Sequence, residues 1–80
     1  MSTKVVELLE SLRDVIKADG WRYGDRAKVW SPDGADTVDL LRAFECLSET
    51  SRRMGLDGED ASSEEIETLF ARAIRRAQPL

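Results

Sequence analysis

Ile66, Leu69, Phe70, Ala73, Ile74 and Ala77 recur at intervals of i, i+3, i+4, i+7, i+8 and i+11. That spacing puts six apolar side chains on one stripe of an α-helix and on no single face of a strand. A second stripe, Val5, Leu8, Leu9, Leu12 and Ile16, repeats the pattern near the start, and Val6 and Val15 widen it. A third runs through Val38, Leu40, Leu41, Phe44, Leu47 and Met54, with Ala43 and Cys46 at its flanks. Three amphipathic segments can bury their apolar stripes only against one another or against a partner. The expected fold is mainly α: a three-helix bundle, with helices over about 3–19, 37–54 and 63–77 in one small domain spanning 1–80.

Boundary residues support these spans. Ser2 or Thr3 can cap the first helix. Gly20 can adopt the left-handed conformation that ends it, which places Trp21 where a Schellman turn folds back toward Ile16. Asp36 is the expected cap of the second helix, and Asp39 complements its positive end. Arg52 and Arg53 lie in its last turn, and Gly55 stops it. Ser62 and Glu65 fit a capping box for the third helix. Arg72, Arg75 and Arg76 close that helix, and Pro79 forbids its extension. No repeat and no low-complexity segment interrupts the chain.

Between the first two helices lies Gly20–Gly34, which holds both tryptophans and the only tyrosine. Trp21, Tyr23, Val29 and Trp30 are good strand formers, and Gly24-Asp25 can turn between them. The stretch is expected to form either an ordered aromatic loop or a small β-hairpin. Ser31-Pro32-Asp33-Gly34 carries a type I turn signal. Arg22, Arg26 and Lys28 make this stretch locally positive in a chain whose net charge is −4. By contrast, Asp57, Glu59, Asp60, Glu64, Glu65 and Glu67 form an acidic run.

Several chemistries are excluded or disfavoured. The chain has no histidine, which removes Ser-His-Asp and Cys-His nucleophiles and most zinc sites. Cys46 is the only cysteine, so no internal disulfide forms, and its place beside apolar positions suits a buried, inert thiol. Counting from Asp57, the twelfth residue is Thr68, whereas a calcium-binding EF-hand loop needs a glutamate there. Turn and cap chemistry accounts for Asp33, Asp36 and Asp39 without a magnesium ion. No glycine motif cradles a phosphate. No apolar run approaches the ~20 residues of a membrane span. The absence of a secretory core near the N-terminus points to an intracellular, cytoplasmic protein. No catalytic, metal or cofactor-binding residue is assigned, and no cofactor is expected.

Trp21, Arg22, Tyr23, Arg26, Lys28 and Trp30 are the candidate partner-binding residues. The aromatics can simply cover one end of a small core. If part of them stays exposed, the set matches the residue types enriched in interface hot spots. Stacking on single-stranded bases is the other use, and the acidic total weighs against it. A helix-turn-helix reading of the second and third helices fails on the long connection from Gly55 to Ala61. It fails again on Glu64, Glu65 and Glu67, which stand where base contacts belong.

The order of a Leu-rich helix, Gly20-Trp21, a short charged stretch, Asp33-Gly34 and a Leu/Ala helix resembles a family of small actinobacterial and actinobacteriophage proteins of unknown function. The resemblance covers roughly residues 5–47. In that family the second helix often opens with a cysteine, whereas here it opens Asp36-Thr37-Val38-Asp39. The resemblance implies an intracellular, phage-encoded setting and no activity. The expected function is a non-enzymatic protein–protein interaction module of accessory or regulatory type, with a protein partner and a homodimer as a candidate state. The alternative is a nucleic-acid-associated regulator using the basic aromatic stretch 21–30.

Overall fold

A computed structural model describes residues 3–21, 34–56 and 61–78. Three helices account for most of them: α1 over Thr3–Ala18, α2 over Thr37–Met54 and α3 over Ser63–Ala77. Each helix packs against both of the others. The described residues contain no strand. The loop or hairpin expected over 21–30, the Ser2 cap and the Ser31–Gly34 turn fall wholly or largely outside the described residues.

Helix ends follow the boundary chemistry closely. The N–H of Gly20 donates to Lys17 O at 3.1 Å and that of Trp21 to Ile16 O at 2.8 Å. Gly20 has φ 74°. This is the full Schellman pair, and α1 ends one residue before the expected 19. The end of α2 repeats it: Gly55 donates to Arg52 O and Leu56 to Ser51 O, both at 3.1 Å. At both stops the residue after the glycine is apolar. Trp21 and Leu56 each turn back and pack on the core.

The helix starts are capped as expected. Asp36 accepts a hydrogen bond from Val38 N at 2.8 Å. Ser62 and Glu65 exchange both bonds of the capping box: Glu65 N donates to Ser62 Oγ at 3.2 Å and Ser62 N donates to Glu65 Oε1 at 3.0 Å. The bond from the Ser62 backbone N–H, and then the side-chain bond, hold the Glu65 carboxyl below its ordinary pKa.

The core consists of Val5, Leu9, Leu12 and Ile16 from α1, Ala43, Cys46 and Leu47 from α2, and Ile66, Leu69, Phe70, Ala73 and Ala77 from α3. The stripes of α1 and α3 point inward as the spacing predicts, with Val6, Leu8 and Ile74 half-buried at their margins, except that Val15, expected to widen the α1 stripe, is 43% exposed. Helix α2 differs from expectation. Its buried line is Ala43, Cys46, Leu47 and Thr50, so the two residues expected at the flank occupy the centre. Val38 is 58% exposed and Leu41 57%, while Phe44 and Met54 sit half-buried at the edge. The reason is steric. A helix wedged against two neighbours needs small residues where the backbones approach, and Ala, Cys and Thr supply them. Thr50 is 3% exposed and satisfies its hydroxyl by donating to Cys46 O at 2.6 Å, one turn back. No buried side-chain polar atom among the described residues lacks a partner.

Candidate functional site

Of the six candidate residues, Trp21 alone lies among those described. It is half-buried and packs on the core, with its backbone at φ 65°. A bulky residue in the left-handed region carries a conformational cost of about 1–2 kcal/mol, which the indole's burial offsets. Trp21 therefore has a structural task at the end of α1. Arg22, Tyr23, Arg26, Lys28 and Trp30 lie outside the described residues.

Two clefts open on the described surface. The first lies where the starts of α1 and α2 come together, lined by Lys4, Glu7, Leu8, Gly34, Ala35, Asp36 and Asp39. It is acidic on balance, but Asp36 already caps α2. Among the described residues no cluster of histidine, cysteine or carboxylate side chains is arranged to hold a metal ion.

The second cleft, of about 310 Å³, lies between the C-terminal halves of α2 and α3. Thr50, Arg53, Met54, Arg72, Arg75 and Arg76 line it. The last-turn cations of α2 and α3 read in the sequence as two separate groups, each complementing one helix end. The tertiary structure joins them. Glu49 is the acid beside them: it pairs with Arg53 one turn on at 3.2 Å and with Arg76 across the helix interface at 3.5 Å. Arg72 and Arg75 have no carboxylate partner among the described residues. Two helix C-termini contribute roughly one negative charge between them. Set against four arginines and Glu49, that leaves, among the described residues, an excess of about two positive charges around a floor of Thr50 and Met54.

Cys46 lies close behind this region, 5% exposed. Burial pushes its thiol pKa up, with nearby Arg76 pulling weakly the other way. A thiol held protonated inside a helix interface is a poor nucleophile, which fits the inert role expected of it.

On the outer side of α2, Val38 and Leu41 are exposed aliphatics, with Leu40 and Phe44 half-buried beside them. The sequence pattern counts all four as one inward stripe, although the adjacent pair Leu40-Leu41 already makes that stripe wider than a short helix needs. Among the described residues no helix is long and apolar enough to cross a membrane. The chain matches no protein-family model, no curated protein and no solved structure.

Proposed function

We propose that the chain is a non-enzymatic helical module that binds an apolar segment of a partner protein. The observation that supports this reading is the exposure of Val38 and Leu41, at 58% and 57%, on the outer face of the first turns of α2. A chain of 80 residues has little apolar surface to spare, since small domains bury a smaller share of it than large ones. Val15 on α1 is the other large aliphatic exposed among the described residues; Val38 and Leu41 lie together on one helix face, with Phe44 half-buried beside them, and suit an apolar contact with another protein.

The sequence preceding α2 carries Arg22, Tyr23, Arg26, Lys28 and Trp30 after Trp21, residue types that suit the polar and aromatic part of such a contact; an ordered aromatic loop or a short hairpin over 21–30 is part of this proposal. The resemblance of residues 5–47 favours a cytoplasmic, phage-encoded accessory or regulatory role. The test is affinity capture from the source cell, comparing wild type with Arg26→Ala, Trp30→Ala and the Val38→Ser/Leu41→Ser pair. A protein retained by wild type and lost by each folded variant supports the reading. Equal retention by all of them removes it. Light scattering separates the case in which a second copy is the occupant, through a dimer that the Val38/Leu41 pair dissociates.

The alternative is a nucleic-acid-associated regulator using the basic aromatic stretch. It rests on the same connector cations and on their suitability for phosphate contacts. A gel shift at low salt decides it, because phosphate contacts are strongest there; no shift below tens of micromolar protein rules it out.

A further inference from the structure

We propose that the cleft between the C-terminal halves of α2 and α3 is a second binding site, for an acidic peptide segment with an apolar residue among its carboxylates. This site goes beyond the surface proposed above and lies on different residues.

Arg53, Arg72, Arg75 and Arg76 line one cleft, and Glu49 is engaged with two of them. Among the described residues Arg72 and Arg75 have no carboxylate partner. An arginine fork matches a carboxylate with two parallel N–H···O bonds. Neutralising two helix ends does not require four arginines gathered in one place, so the excess has a use beyond the helices themselves.

Met54 is half-buried against the core, and Thr50 is buried with its hydroxyl turned to Cys46 O. The bottom of the cleft is therefore apolar, a methionine and a threonine methyl flanked by arginine alkyl stems. Methionine adapts to differently shaped apolar groups. An apolar floor with a cationic rim fits a short segment that carries carboxylates on either side of one aliphatic or aromatic residue.

Single-strand binding relies on aromatic platforms for base stacking, and no aromatic residue among those described lines this cleft. The cations form one compact group rather than a track along a strand. The chain's net charge of −4 further disfavours a long polyanion at a distance, while a short acidic segment meets only the local field.

The experiment is fluorescence anisotropy on the full chain with a labelled, end-blocked hexapeptide of four glutamates around two leucines. Its glutamine counterpart, a single-stranded oligonucleotide and inorganic phosphate run beside it. At ~10 mM salt, where screening reaches only beyond about 30 Å, wild type binds the glutamate peptide and not the glutamine one. Arg72→Gln/Arg75→Gln weakens binding about tenfold with an unchanged helical spectrum. Glu49→Gln strengthens it about threefold, because Arg53 and Arg76 are released, an outcome that general damage to the fold does not produce. Arg26→Ala and Val38→Ser/Leu41→Ser bind the peptide like wild type, so this site and the one proposed above fail independently.

Equal affinity of the folded double arginine variant overturns the proposal, as does no gain in Glu49→Gln or equal binding of the glutamine peptide. Tighter binding of the oligonucleotide overturns it in favour of nucleic acid. Full competition by phosphate at the peptide's own concentration reduces the cleft to a simple anion site and also overturns it. Salt-sensitive self-association lost in the double variant transfers the cleft to a second copy's acidic α3 start, overturning the foreign peptide.

Discussion

Gly55 shows how much one residue decides. Its φ is 68°, and a methyl added to its Cα would meet nothing within 4 Å. The cost of replacing it is therefore purely conformational. Gly55→Ala is expected to destabilise the fold by about 1–2 kcal/mol, the penalty for an L-residue in the left-handed region. Urea unfolding followed by circular dichroism measures it; an unchanged midpoint means that the end of α2 can close by another route. Gly20 shares this geometry at φ 74° with equally open surroundings, but Trp21 beside it also has a positive φ. Both stops were legible in the sequence, because the conformational demand at C′ falls on a single residue type.

At the scale of the helix, α2 is where pattern and packing part. The sequence places Leu41 inward and Ala43 at the flank; the structure exposes Leu41 and buries Ala43. Leu47→Ala is expected to cost about 2–5 kcal/mol, as for any buried leucine, and Leu41→Ala to stay within about 0.5 kcal/mol. Comparable losses at the two positions, read from thermal or urea unfolding, would restore the inward stripe.

Helix α3 offers a pH test. The Glu65 pKa is lowered in the folded state by the Ser62 bonds. A lowered folded pKa stabilises above the unfolded value, and that contribution is lost as pH falls through the folded one. Stability is thus expected to decline on acidification below the ordinary carboxylate range, and Glu65→Gln, which removes the titrating group, to flatten that decline. Unfolding midpoints of the two proteins across the acid range, with parallel slopes, would refute the link. Ser62→Ala costs about 1 kcal/mol at neutral pH through the lost cap.

For the molecule as a whole, the three helices share one core, and Phe70 is its largest fully buried side chain. An 80-residue fold has roughly 4–12 kcal/mol of total stability, and Phe70→Ala removes about 3–5 kcal/mol of it. The variant is expected to unfold at a much lower urea midpoint by circular dichroism, with Cys46 reacting faster with thiol reagents than in wild type. An unshifted midpoint with an equally slow thiol would show that the core divides its load differently.

Helix number, helix ends and two of the three inward faces came from the sequence alone. They depend on neighbours within four residues, and capping bonds and 3.6-residue periodicity are local by nature. Tertiary structure decided the face that α2 turns inward, because the closeness of two flanking helices, not the size of its own side chains, selects Ala43, Cys46 and Thr50 for the centre. It also decided that the last turns of α2 and α3 meet. No periodicity states which end of one helix lies against which end of another, so only packing could turn two ordinary sets of terminal arginines into one cationic cleft.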